Sequence, residues 1–217
     1  MNEKITDGEA LLDKRGNSAF SVFLYVIIFV LICCIAFFYF FAFVPIEGDS
    51  MENTLFDNQR CFVQRKCFSV ERNDIVMINT AADGEDEHII IKRVIGMSGD
   101  RFAFMRSEDG TTVELYICKA GETTLSKLDE PYTKEAVLAS RWTSSLYYLL
   151  PYTENITDID VTDPNFQQNY RFLAMCVYSV PEDHILFLGD NRNISRDSRY
   201  YGTRHINNIT AKVLSIL

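Results

Sequence analysis

Three short segments of this 217-residue chain carry side chains suited to acyl-transfer chemistry. Gly48-Asp49-Ser50-Met51 offers a hydroxyl, Lys92-Arg93-Val94-Ile95-Gly96 offers an amine at the end of an apolar run, and Gly189 to Gly202 is a loop dense in glycine, paired charges and hydroxyls. That loop fits neither helical nor strand periodicity, which suits a buried hydrogen-bonded site. A serine is a weak nucleophile until a base takes its proton. Lys92 follows Ile89-Ile90-Ile91 and precedes Val94-Ile95, so a sheet would draw its ammonium out of water. Desolvation disfavours the charged form, and a neutral amine can accept the serine proton. Ser50 is thus the candidate nucleophile and Lys92 the candidate base, while strand alternation sends Arg93 to the opposite face. His88, His184 and His205 are other possible bases, but each reads as a surface or strand-end histidine. No Gly-x-Ser-x-Gly elbow supports a histidine-based hydrolase.

The elements that must position these groups are short and rich in Val, Ile and Phe. Cys61–Gln64, Ile75–Ile78 and His88–Ile95 read as strands, and Phe102–Met105 with Val113–Ile117 reads as a hairpin joined by Glu108-Asp109-Gly110. Strand character returns at Phe172–Val180, at His184–Leu188 and at Ile209–Leu214. Between them the chain turns polar and aperiodic, with a possible short helix at Lys134–Arg141. The expectation is an all-β or β-dominated ectodomain in which residues 120–170 form an insertion on the rim.

An apolar segment precedes this domain. No charged residue lies between Gly16 and Ile46, and Phe20–Val44 is almost wholly Phe, Ile, Val, Leu, Ala, Tyr and Cys. About 25 residues at ~1.5 Å each exceed the ~30 Å hydrocarbon core, so one transmembrane helix is expected. A cleavable leader would have a shorter apolar core followed by small residues, whereas aromatic residues continue here to Phe43. Lys14 and Arg15 precede the span and Glu47 and Asp49 follow it, which puts the N-terminus in the cytoplasm. The expected organisation is a tail at 1–18, an anchor at 19–44 and an extracytoplasmic domain at 45–217. Ser50 lies about six residues beyond Val44, so an extended linker keeps it within ~20–22 Å of the span's end. A nucleophile tethered there reaches bonds close to a membrane surface, such as those just outside the apolar segment of a signal peptide.

Composition limits the alternatives. A net charge of −9 with a pI near 4.9 excludes the basic face of a nucleic-acid binder. Cys33 and Cys34 lie in the span, and Cys61, Cys67, Cys118 and Cys176 are read as free buried thiols, although Cys61 and Cys67 could close a short hairpin. No cysteine–histidine cluster suggests a metal, and no cofactor is expected.

Taken together, the three segments resemble bacterial type I signal peptidase, a membrane-anchored Ser/Lys protease. Gly48 to Leu55 resembles its nucleophile segment, Lys92 to Asp100 its base segment, and Gly189 to Gly202 its last box. Asn73-Asp74-Ile75-Val76 fits the strand between the first two, and Leu128-Asp129-Glu130-Pro131-Tyr132 resembles a weaker family feature. The resemblance implies an all-β fold of two antiparallel sheets with residues 107–175 as a variable inserted lobe, Ser50 as nucleophile and Lys92 as general base. It further implies that Ser195 orients the lysine through a hydrogen bond and that Asp197 and Arg199 brace the site as an ion pair. Backbone N–H groups of Ser50 and Gly48 would form the oxyanion hole, and Met51 would line a substrate pocket or simply pack. Some family members carry a serine where this chain has Gly48, so that side-chain donor is missing.

The implied substrates are preprotein signal peptides cut after small residues in an Ala-x-Ala pattern, bound as an extended strand by a monomer that also contacts the lipid bilayer. Asn53 and Ser98 stand where the family usually has proline, which would relax a preset φ. Asn155, Asn193 and Asn208 match the glycosylation pattern, but a glycan on Asn193 would fill the implied site. The alternative is a non-cleaving or narrowly dedicated factor for surface-protein or pilus assembly on the same fold.

Overall fold

A computed structural model describes residues 3–81, 88–107, 109–133, 135–139 and 177–217. It divides into two compact units, Met1–Ala42 and Phe43–Leu217.

The first unit is a helix, α1 (Glu3–Phe40). Its stretch Phe20–Phe40 has a mean hydropathy of 3.0 and none of it is buried against protein. Aliphatic and aromatic side chains left uncovered on every face suit lipid and not water. The helix ends at Phe40, and residues 41–44, which the sequence assigns to the span, are extended in β1 (Phe41–Pro45). Three consecutive residues with aromatic or β-branched neighbours, followed by Pro45, favour that extended exit.

The second unit contains two antiparallel sheets, as expected. The larger is built from β1, β2 (Arg60–Gln64), β3 (Ile75–Asn79), β4 (Ile89–Gly96), β9 (His184–Leu188), β10 (Arg204–His205) and β11 (Ile209–Ile216). Their spatial order is β1-β2-β11-β3-β4-β9-β10. The smaller sheet has the order β7-β6-β5-β8, from β5 (Arg101–Arg106), β6 (Val113–Cys118), β7 (Ser126–Lys127) and β8 (Val177–Ser179). A single helical turn, α2 (Ser198–Tyr201), lies between β9 and β10 and is capped by the Asp197 side chain.

Two clusters make the core, and the second also takes Ile95, Leu186 and Leu188 from the larger sheet. Val76, Ile78, Val94, Ile185 and Phe187 pack on the larger one. Phe102, Phe104, Val113, Leu115 and Tyr178 pack between β5, β6 and β8, with the Phe102 and Tyr178 rings stacked at 5.3 Å.

β4 is the element that matters most for the site. Ile89–Arg93 pairs with β3, whereas β9 pairs only with Arg93, Val94 and Gly96. One backbone edge of Ile89–Lys92 is therefore unpaired by β9 and faces a cleft.

The β5–β6 hairpin forms as the sequence predicts, from Arg101↔Cys118 to Arg106↔Val113. It also means that the early part of the expected 107–175 lobe is ordinary sheet. Of the expected helix at 134–141, residues 135–138 are not helical, and Leu138 instead bridges Thr112. Lys134 and residues 140–176, including the strand expected at 172–176, lie outside the described residues. Cys61 and Cys118 are free and buried, but Cys67, at φ 56° beyond the end of β2, is free and exposed and so departs from the expected buried thiol.

Candidate active site

Ser50 opens a tight turn after β1. Glu52 N–H donates to Asp49 O, and Thr54 N–H and Leu55 N–H both donate to Met51 O. Met51 and Leu55 are sealed in the core, so the turn is anchored by packing while Ser50 stays half-exposed. Asn53 takes φ +92° within this turn, a conformation a proline ring cannot adopt. The departure at Asn53 thus changes the backbone path itself and does not merely relax it. At Ser98 the gain is a bond: its hydroxyl accepts from Asp183 N–H at 3.2 Å.

Lys92 reaches Ser50 from β4, its Nζ 2.7 Å from Ser50 Oγ and 2.8 Å from Ile91 O. The residue is only 3% exposed. Burial pushes its pKa down to about 8, Asp197 and Asp190 pull it back up, and Arg199 adds to the lowering. A neutral amine in this place has two N–H groups and one lone pair. One N–H satisfies the Ile91 carbonyl and the lone pair can accept the Ser50 hydrogen.

The 189–202 loop forms the floor. Asp197 and Arg199 make a bidentate, buried ion pair, with Nε to Oδ1 and Nη2 to Oδ2 both at 2.8 Å. Asp197 also accepts from Gly189 N–H at 3.0 Å. Burial works against its charge, but the Arg199 cation and these hydrogen bonds outweigh burial and hold the carboxyl below its usual range. Asn191 N–H donates to the Ser50 carbonyl at 3.2 Å, tying the floor to the nucleophile.

Ser195 differs from its expected role. Its hydroxyl is buried and, among the described residues, makes no hydrogen bond of normal geometry, to Lys92 or to any other group. It faces Asp197 closely enough to favour that carboxylate, while the Lys92 amine contacts Ser50 Oγ and Ile91 O. Gly48 also departs from expectation: its N–H donates to Asp57 Oδ1 at 2.8 Å, so it is not free for an oxyanion.

A cleft of about 330 Å³ runs beside the pair. Its walls are Val44–Gly48, Met51 and Met77 with His88–Lys92, so Met51 does line it although only 1% of the residue is exposed. His88 is on this wall, but its Nδ1 is held at 2.8 Å by the Thr80 hydroxyl. His184 and His205 sit against each other across β9 and β10, ring centres 5.4 Å apart. Among the described residues no cluster of acidic, histidine or cysteine side chains could hold a metal.

Sequence reasoning missed a second layer of charge. Arg93 chelates Asp190 through Nε at 2.9 Å and Nη2 at 2.6 Å, and Thr54 donates to the same carboxylate. Arg192 is paired with both oxygens of Glu130. The available signal was Arg93 itself: an arginine inside an apolar strand requires a buried carboxylate partner, and the polar loop holds only two.

The profile of the family "Signal peptidase, peptidase S26" matches residues 19–217. The chain is 31% identical over 179 residues to a signal peptidase I of Streptococcus pneumoniae, with 80% of each chain covered. It is 30% identical over 190 residues to a signal peptidase I of Bacillus caldolyticus, covering 85% of each. With signal peptidase IB of Staphylococcus aureus the identity is 29% over 177 residues, covering 77% of this chain and 73% of that one. An apolar N-terminal helix, two antiparallel sheets, and a family match over nearly the whole chain lead to one assignment: it belongs to the signal peptidase family, peptidase S26, the membrane-anchored serine endopeptidases that remove signal peptides.

Proposed function

We propose that the chain cleaves signal peptides with Ser50 as nucleophile and Lys92 as its only base. The observation that carries this reading is the 2.7 Å contact between Lys92 Nζ and Ser50 Oγ, made by a lysine that burial holds near neutrality. Ser50 Oγ attacks the scissile carbonyl carbon while its proton passes to Lys92 Nζ. The resulting lysinium returns that proton to the leaving amine as the C–N bond breaks, which leaves an ester on Ser50. Lys92, neutral again, takes a proton from water as the water oxygen attacks the ester, and the released serinate recovers the proton. The Ser50 N–H is the backbone donor for the tetrahedral oxyanion. Asp197 and Arg199 brace the loop beneath the pair.

The substrate lies as an added strand on the open edge of Ile89–Ile91, which offers backbone groups that β9 leaves unpaired. Val44, Ile46, Met51 and Ile91 narrow the cleft beside Ser50 to apolar contacts that favour small side chains. That matches an Ala-x-Ala pattern.

The domain boundaries follow: a tail to residue 18, an anchor from residue 19, a catalytic domain beyond it and an insertion within 107–175. Lys14 and Arg15 favour a cytoplasmic N-terminus, hence an extracytoplasmic catalytic domain acting at the lipid surface as a monomer.

The test is cleavage of an Ala-x-Ala precursor by detergent-solubilised protein beside Ser50→Ala and Lys92→Ala. Both variants are expected to fold and to be inactive. Full activity in the folded Lys92→Ala protein sinks the mechanism. Protease protection in vesicles tests the orientation, with the catalytic domain expected on the exported side.

A further inference from the structure

We propose that Glu130 and Tyr132, on the segment that follows β7 of the smaller sheet, are positioning residues for the Ser50–Lys92 pair. This inference rests on that pair carrying the reaction. Glu130 receives both terminal nitrogens of Arg192, whose side chain is 2% exposed. Arg192 uses its remaining nitrogen, Nε, to bind Gly189 O at 3.0 Å, and its own carbonyl accepts from Arg199 Nη1 at 2.8 Å. Tyr132 lies between two cations, with the Arg93 guanidinium 4.2 Å and the Arg192 guanidinium 5.9 Å from its ring centre. Its hydroxyl donates to Glu130 at 3.2 Å. Arg93 in turn holds Asp190.

The consequence is local and mechanical. Gly189, Asp190 and Asn191 are consecutive, and each is tied differently: Gly189 to Arg192 and Asp197, Asp190 to Arg93, Asn191 to the Ser50 carbonyl. Two of those ties end on arginines whose position is set by Glu130 and Tyr132. With glutamine at position 130, the buried Arg192 charge loses its partner and is drawn to another carboxylate, and Asp197 already raises its basicity. Gly189 O then loses its donor, and the floor under Ser50 moves. A displacement of about 1 Å at a reacting pair costs roughly 100-fold in rate. Electrostatics gives a second signature through Asp197: an Arg192 cation drawn to that carboxylate offsets the charge that favours the lysinium form of Lys92.

The experiment uses the full chain in detergent micelles with an Ala-x-Ala precursor, and compares Glu130→Gln, Tyr132→Phe, Tyr132→Leu and Ser50→Ala. For Glu130→Gln the expected result is a kcat lowered roughly 10- to 100-fold with KM little changed, and an alkaline rise in rate that begins at lower pH. Tyr132→Phe keeps the ring and is expected to retain most of the rate, whereas Tyr132→Leu loses about tenfold. Wild-type kcat and pH midpoint in folded Glu130→Gln and Tyr132→Leu overturn the proposal. Should Glu130→Gln not fold, the Phe and Leu variants decide, since equal rates in those two also overturn it. An active Ser50→Ala protein sinks the dyad instead, a failure visible on its own.

Discussion

Gly189 and Ser195 are packed so closely that a methyl group on the glycine would lie 2.2 Å from the serine hydroxyl. The same methyl would meet the Ser50 carbonyl at 2.4 Å and Ser195 Cβ at 2.5 Å. A rotamer change could move the hydroxyl, but the Ser50 carbonyl is backbone of the nucleophile and cannot yield without moving Oγ. Gly189→Ala is therefore expected to lower kcat by about 100-fold or more. Removing the hydroxyl in a Gly189→Ala/Ser195→Ala double variant is expected to recover little, because Ser195 Cβ and the Ser50 carbonyl remain in place. Steady-state rates on both variants check this, and wild-type turnover in Gly189→Ala counts against so tight a floor.

Proton transfer needs neutral Lys92, so the rate should follow its deprotonated fraction. With a pKa of about 8, the rate of acylation is expected to rise roughly tenfold between pH 7 and pH 9 and then level off. Arg199 lowers this pKa and Asp197 raises it, so replacing Asp197 by Asn shifts the rise to lower pH in whatever fraction of the variant folds. A pH–rate profile with single-turnover conditions measures both. A midpoint near the 10.5 of an ordinary lysine would mean that Nζ is solvated during the reaction.

The same shift has a stability counterpart with a definite sign. Lys92 binds its proton less tightly in the folded protein than in the unfolded chain, where the value is 10.5. Between about pH 8 and 10.5 the unfolded state holds more protons, so stability rises with pH across that window. Below it the full penalty is present, about 3 kcal/mol by the size of the shift. Lys92→Met avoids that penalty while filling the same space. It is expected to be inactive yet more stable than the wild type by about 1–3 kcal/mol at pH 6, with the gap closing towards pH 10.5. Thermal unfolding of both proteins in detergent across pH provides the measurement, and a gap independent of pH contradicts a neutral buried lysine.

Much of this arrangement was legible before any coordinates. The apolar helix, the strands and the order of the three polar segments all follow from hydrophobic periodicity and residue type, which local physics dictates. Lys92 beside Ser50 was inferable only from the three polar segments taken together, since a lysine between Ile91 and Arg93 reads by itself equally well as a solvated strand-edge residue. The point where the helix gives way to strand was not legible, since Phe41–Val44 is apolar enough for either conformation. Ser195 was expected to bond Lys92, yet the amine contacts Ser50 Oγ and the Ile91 carbonyl one residue away, a choice of partners that spacing cannot express. Arg93–Asp190 and Arg192–Glu130 join residues 97 and 62 apart in sequence, so a single chain without coordinates gives no register for them.

Asp57 supplies the remaining test, because its carboxylate decides how Gly48 is used. The backbone of Ile46 is paired with Gln59 and Asn58, with Ile46 N–H to Gln59 O at 2.8 Å and Asn58 N–H to Ile46 O at 2.9 Å. Asp57 Oδ1 extends this pairing by one rung to Gly48 N–H at 2.8 Å. Gly48 sits at φ +82°, and among the described residues no atom lies within 4 Å of where a side chain would start, so side-chain packing does not hold it in place. Loss of the Asp57 bond therefore loosens the chain two residues before the nucleophile. A hydrogen bond worth about 1 kcal/mol corresponds to roughly fivefold in an equilibrium between ordered and loosened turns. Asp57→Ala is expected to lower kcat by about three- to tenfold with KM little changed, while Asp57→Asn, whose amide oxygen still accepts, stays close to wild type. The opposite sign is informative as well. A faster Asp57→Ala protein would mean that the released Gly48 N–H turns to the oxyanion, and that the carboxylate had been restraining a second donor and not steadying the turn.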